Sequence, residues 1–171
     1  MQAIIKMAPG AVKGRRVKMA VSNKKQKSPC NCTALRKATR RVSQLYDLAL
    51  EPCGLRTTQR AILSHIARSG TPPIGELAEA LVMDRGALTH NLKPLQRDGL
   101  VEIGVDPDDR RNRRVALTAA GRSKLAESEP LWKRAQQGFE AAFGVAKSAS
   151  LRKALEYVVS EDFVAAFSHL D

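Results

Sequence analysis

The sequence predicts a mainly α-helical chain carrying one small β-hairpin. Apolar residues recur at three- and four-residue steps in one segment after another, the pattern of amphipathic helices. Two short apolar runs, LVEIGV and VALT, flank the charged, turn-rich stretch DPDDRRNRR, residues 106–114, as the strands of a hairpin flank its tip. A length of 171 residues with 43% hydrophobic content is enough for a core, either as one domain or as a small domain with long appended helices.

Residues 1–29 are polar and basic and end at Pro29, which predicts a disordered arm. The formal net charge is +12 and the pI is near 10.1, a balance that favours nucleic acid or an anionic surface over a small neutral substrate. Eight of the 29 basic residues and none of the 17 acidic ones lie in residues 1–29, so the rest is mildly basic, 21 against 17. A first helix is expected over residues 33–50, with Leu35, Ala38, Val42, Leu45, Tyr46 and Ala49 on one face and Arg36, Lys37, Arg40 and Arg41 between them. EPCGLRTT breaks it. Thr57 or Thr58 is placed to cap a second helix whose face is Ile62, Leu63, Ile66 and Ala67, and Gly70, Pro72 and Pro73 end it.

A short third helix, residues 74–81, packs Ile74, Leu77, Ala78 and Leu81. Val82, Met83 and Asp84 have the length of a tight helix–helix turn, and Asp84 is a good N-cap for a fourth helix over residues 85–97 that Gly99 closes. After the hairpin, Thr118 is placed to cap a long helix with Leu125, Trp132, Ala135, Phe139, Ala142 and Phe143 on one stripe. Beyond a connection GVAKSAS, Leu151, Leu155, Val159, Phe163 and Phe167 follow at four-residue intervals on a second. Two long helices so apolar need a partner chain, most simply another copy of this one.

The fourth helix carries the chemistry. Opposite Leu88, Leu92 and Leu95 it presents Arg85, Thr89, His90, Lys93, Gln96 and Arg97, with no acid between Asp84 and Asp98. A face that needed only solvation would mix Glu with Lys, so this bias points to an anionic partner. Short helix, three-residue turn, polar-faced helix and arginine-loaded hairpin is the order of a winged helix-turn-helix, whose second helix enters the major groove while the wing reaches the neighbouring minor groove. Arg85 and Lys93 suit phosphate or guanine, Thr89 suits base edges or phosphate, and His90 can donate to phosphate. Arg110, Arg111, Arg113 and Arg114 load the wing. Pro94 removes one backbone hydrogen bond to residue 90 and predicts a bend in the helix.

The stretch ELAEALVMDRGALTHNLKPLQRDGLVEIGVDPDDRRNRRVALTAAG, residues 76–121, resembles the DNA-binding core of the MarR family of bacterial transcriptional regulators. The most specific part is the wing pattern Asp109, Arg111, Leu117, Thr118 and Gly121, and the order of the flanking helices extends the resemblance over residues 33–170. It implies that Arg111 enters the minor groove, that Asp109 holds the wing by ion pairing, and that Arg110, Arg113 and Arg114 add phosphate contacts. It further implies a homodimer, joined through its first and last helices, on a near-palindromic operator in double-stranded DNA. A repressor relieved by a small phenolic or other aromatic effector is then expected, with Tyr46 the one pocket residue suggested. Relief by oxidation is the other route, because some relatives use a cysteine near the first helix. The division expected is a basic arm over 1–29, an N-terminal dimerisation helix over 30–55, a winged helix-turn-helix domain over 56–120 and C-terminal dimerisation helices over 121–171.

Cys30, Cys32 and Cys53 make an odd count without a secretion signal, which argues against a disulfide framework, and Cys-x-Cys plus one distant Cys lacks the fourth ligand of a closed zinc site. No metal and no cofactor are expected. The plain reading of the three is ordinary thiols; the sharper one is redox sensing, with Arg36 and Lys37 near enough to lower a thiol pKa. No run of 18 apolar residues spans a bilayer and Pro9, Gly10 and Gly14 interrupt any transit-type helix, so a cytoplasmic location is expected. There is no Gly-rich cofactor loop, carboxylate pair or nucleophile constellation, which argues against an enzyme. The alternative to a site-specific regulator is an architectural protein that coats DNA without sequence preference.

Overall fold

A computed structural model describes residues 29–107 and 109–168. The basic arm read over residues 1–29 therefore lies outside the described residues, save Pro29. Seven helices and one hairpin follow: α1 Asn31–Leu50, α2 Thr57–Ser69, α3 Ile74–Ala80, α4 Arg85–Arg97, β1 Val101–Val105, β2 Arg113–Leu117, α5 Ala119–Phe143, α6 Val145–Val158 and α7 Glu161–Ser168. The sequence-predicted class, mostly helical with a two-stranded wing, is the class observed.

Helix α1 starts at Cys30, whose Sγ accepts the Thr33 N–H at 3.5 Å, and ends at the fully buried Leu50 before a single 3-10 turn, Glu51–Cys53. Neither Thr57 nor Thr58 caps α2, contrary to expectation. Arg56 holds the cap position, and a guanidinium has no acceptor to offer. The acceptors come from elsewhere: the Asp47 carboxylate of α1 takes the Thr57 N–H at 2.7 Å, and the Gln59 side chain takes the Arg56 N–H at 2.8 Å. The buried side of α2 is Arg60, Ile62, Leu63 and Ile66, while Ala67 is exposed.

The α3–α4 turn closes through Met83 N–H to the Ala78 carbonyl, and Val82 sits in the left-handed region at φ 51°, which a β-branched residue rarely adopts. Asp84 caps α4 by accepting the Ala87 N–H at 2.7 Å. Pro94 leaves one amide position without a donor, yet α4 runs on to Arg97 because Leu92 and Leu95 are buried on either side of it. The helix then stops as predicted. Gly99 takes φ 68°, its N–H reaches the Gln96 carbonyl, and the Leu100 N–H reaches the Leu95 carbonyl.

Strands β1 and β2 pair antiparallel with Val101 opposite Leu117 and Ile103 opposite Val115, so the apolar residues share the inner face. The segment read only as the end of α2 also joins this sheet: the Val115 N–H donates to the Pro72 carbonyl, and Pro73 bridges Arg114. The Leu117-Thr118-x-x-Gly121 pattern is a packing device. Thr118 Oγ1 donates to the Gly99 carbonyl at 2.6 Å and accepts the Gly121 N–H at 3.0 Å, which ties the end of α4 to the start of α5. A Cβ at residue 121 would overlap the Leu100 carbonyl oxygen. Gly121→Ala is therefore expected to cost about 1–3 kcal/mol of stability, lowering Tm by roughly 2–12 °C; calorimetry showing an unchanged Tm would mean the backbone yields at no cost.

Every buried hydrophobic residue among those described lies between Leu50 and Leu117. Helices α5, α6 and α7 bury none and α1 buries only Leu50 at its end, while Leu45, Leu48, Val159, Val164 and Phe167 stand 48–64% exposed. Two expectations for the C-terminal region need correction. GVAKSAS is no connection, because the chain breaks at Gly144 alone and α6 starts at Val145; and the four-residue stripe is not one helix, because α6 ends at Val158 and Ser160 Oγ accepts the Phe163 N–H to start α7. Tyr157, Phe163 and Phe167 still form a ladder, with ring centroids 5.5 and 6.1 Å apart. No helix among the described residues is long and apolar enough to cross a membrane.

Candidate nucleic-acid interface

Three buried leucines fix which way α4 faces. With Leu88, Leu92 and Leu95 fully or almost fully buried, the 3.6-residue period turns Arg85, Thr89, His90, Lys93, Gln96 and Arg97 to solvent, and all six are exposed. Arg97, named on this face but given no contact of its own, pairs with Asp98 at 2.9 Å. Neighbouring groups order two of the others. The Thr89 hydroxyl donates to the Arg85 carbonyl at 2.7 Å, leaving its lone pairs to accept, and the Arg85 guanidinium lies beside Gly75 of α3, where a Cβ would stand 3.1 Å from it. Asp84 occupies the cap and takes the Ala87 amide, and the other first-turn amides point out of the N-terminus of α4.

The wing tip is built by its own backbone and two side chains. The Asp106 N–H donates to the Asn112 carbonyl, and the Asn112 N–H to the Asp109 carbonyl. Asp109 Oδ1 accepts the Arg111 N–H at 2.9 Å and Oδ2 accepts the Asn112 side-chain amide at 3.0 Å. Asp109 thus shapes the tip by hydrogen bonds to the turn it closes, where an ion pair was expected. The ion pair belongs to Asp106, 4% exposed, whose Oδ2 lies 2.7 Å from Arg114 Nε.

The four wing arginines accordingly divide. Arg110 and Arg111 stand at the tip, and Arg113 opens β2; all three are exposed. Arg114 is half-buried, holds Asp106 and donates to the Thr71 carbonyl at 3.4 Å, so it supports the wing, a role beyond the phosphate contact expected of it. The hint available was position: residue 114 faces Gly104 across the hairpin, where an inward Asp106 can be reached.

The thiols also divide. Cys30 and Cys32 are exposed at the start of α1, whereas Cys53 is 4% exposed and donates to the Leu50 carbonyl, shielded from a solvent oxidant. Hydrogen bonds from Thr33, first its side chain and then its amide, lower the Cys30 thiol pKa from its ordinary value. Tyr46 lines a cavity of about 340 Å³ together with Leu35, Val42, Phe139, Leu151 and Leu155. Its hydroxyl donates to Gln136 Oε1 at 2.8 Å, and burial, helped by the Glu140 carboxylate, raises its pKa. This cavity lies among α1, α5 and α6.

A model of the MarR family matches residues 54–112. The transcriptional regulator MosR of M. tuberculosis, in a crystal structure with DNA, is 37% identical, with 75% of this chain covering 97% of that one at a TM-score of 0.64. A mutant of MarR from E. coli, complexed with operator DNA, shares the fold at a TM-score of 0.68 and 24% identity, over 75% of this chain and 93% of that one. The transcriptional activatory protein BadR of Rhodopseudomonas palustris is 38% identical over 77 residues, which is 43% of this chain and 44% of BadR, so the chain matches less than half of BadR's length.

Proposed function

Since this chain belongs to the MarR family of transcriptional regulators, we propose that it is a homodimeric repressor that recognises a near-palindromic site in double-stranded DNA. The observation that carries the reading is the acid-free outer face of α4 beside an arginine-tipped wing. Arg85, Thr89, His90 and Lys93 meet the major groove, Arg111 enters the minor groove, and Arg110 and Arg113 bind flanking phosphates. Arg114 and Asp109 shape the wing that presents them. The apolar surfaces of α1, α6 and α7 join two copies, which sets the recognition helices about one DNA turn, roughly 34 Å, apart. A dimer covering its operator excludes a polymerase with no further contact, hence repression; BadR's name carries the opposite sign, and a reporter fused to the operator decides it.

Two routes of relief are supported. The cavity beside Tyr46, mainly apolar but lined also by hydroxyl side chains, the Gln136 amide and Arg152, suits a small phenolic or aromatic effector. The exposed, acidified Cys30 suits an oxidant. Peroxide is expected to abolish operator binding by the wild type and to spare a Cys30→Ser/Cys32→Ser variant; equal loss in both ends the thiol route.

The test of the whole reading is fluorescence anisotropy on duplexes tiled from the gene's own upstream DNA, at about 0.15 M salt where nonspecific binding is weak. One tile bound at least ~10³ tighter than a scrambled duplex is the expected result. Uniform binding on every tile, with a steep salt slope, would replace the regulator by a protein that coats DNA.

A further inference from the structure

A buried cation stands at the joint between the DNA-binding unit and the long helix α5. Arg60 projects from the core side of α2, among Ile62, Leu63 and Ile66, and its side chain is 10% exposed. Its guanidinium lies 4.4 Å from the ring centroid of Trp132 and donates through an NH2 nitrogen to Glu129 Oε2 at 2.6 Å. Glu129 and Trp132 both belong to α5, and the other carboxylate oxygen of Glu129 faces Lys133 at 3.5 Å.

We propose that Arg60, clasped by Glu129 and Trp132, is the positioning residue that fixes the angle of the DNA-binding unit on α5, and so the half-site spacing the dimer accepts. An apolar side chain would fill the same volume and stabilise this position about as well, since the Glu129 end of the ion pair is 41% exposed and a solvent-screened pair adds little stability. What leucine or methionine lacks is direction. A guanidinium seated over an indole ring and bonded through one nitrogen to a carboxylate accepts one setting of α2 against α5, whereas an aliphatic contact tolerates sliding and rotation. The partner atoms sit three residues apart on α5, on one helix face, so a turn of α5 carries both together. None of the three residues belongs to the DNA-contacting face, so their effect on binding runs through geometry alone.

The inference rests on the proposed dimer for its consequence on DNA, and two measurements separate the two ideas. In the first, single chains carry spin labels at the exposed positions Val82 and Val145, in a Cys30→Ser/Cys32→Ser background, diluted with unlabelled protein. The wild type is expected to give a narrow distance distribution and Arg60→Met a broadened one; equal widths overturn the latch. In the second, duplexes bearing two half-sites with spacers one base pair shorter or longer are compared. Wild type is expected to favour one spacing by tenfold or more, and Arg60→Met to bind all three within about threefold while keeping its half-site affinity. Wild-type discrimination retained in Arg60→Met overturns the inference. Absence of any preference in wild type, with the spin-label difference intact, overturns the dimeric reading and leaves the latch standing. Should Arg60→Met fold poorly, Glu129→Gln, which keeps the acceptor and drops the charge, is read by the same two measurements, and Arg60→Lys is expected to restore little because it has no guanidinium to seat over the ring.

Discussion

A chain carrying Val164→Glu and Phe167→Glu is expected to run as a monomer in sedimentation and to bind a two-half-site operator about 10²–10⁴ weaker than wild type. Val164 and Phe167 are 58% and 64% exposed in the single chain, and they adjoin Val159, at 58%, on the same C-terminal surface. Such patches on a folded chain mark a contact surface. In a dimer these side chains leave water, and a carboxylate placed among them must either stay solvated or surrender its hydration at a cost of several kcal/mol. The loss on the operator follows from arithmetic, because a linked second half-site adds its binding free energy at a high effective concentration and a monomer forfeits it. Affinity for an isolated half-site is expected to stay unchanged, since neither residue approaches α4 or the wing. Retention of the dimer by the double variant would move the interface away from α7.

The elements most plainly written in the sequence are those with local signals. The α3–α4 pair was legible because Leu77, Leu88, Leu92 and Leu95 repeat at helical spacing and Asp84 is a strong cap; the stop at Gly99 was legible because only a residue tolerant of positive φ closes a helix so tightly. The outward face of α4 followed from the inward one. What was not legible depends on contacts between distant residues. Asp47 caps α2 from ten residues away, and Pro72 lends its carbonyl to β2, although neither has a periodic signature. Arg60 reads as a polar intrusion on an apolar face until Glu129 and Trp132 are seen above it. The break before α7 failed to register because Phe163 and Phe167 continue the four-residue count across Ser160, which costs the pattern nothing and the helix one turn.

The wing supplies the sharpest contrast between two arginines three residues apart. Arg111→Ala is expected to weaken operator binding by about 1–3 kcal/mol, roughly 5- to 150-fold, with Tm unchanged. Its backbone N–H, and not its guanidinium, makes the bond to Asp109, so alanine keeps the tip's shape while removing the charge that enters the groove. Arg114→Ala is expected to lower both affinity and Tm. The guanidinium it deletes lies 2.7 Å from Asp106, whose carboxylate is almost wholly buried, and a buried charge stripped of its partner costs up to about 3–5 kcal/mol. Solvent reaching the half-buried Arg114 reduces that figure, so a loss of about 1–2 kcal/mol is expected. Anisotropy and thermal unfolding on the same two variants separate contact from support. An Arg111→Ala protein that binds like wild type removes the wing tip from the interface. An Arg114→Ala protein that unfolds like wild type but binds tenfold weaker makes Arg114 a DNA contact and leaves Asp106 to be satisfied by water.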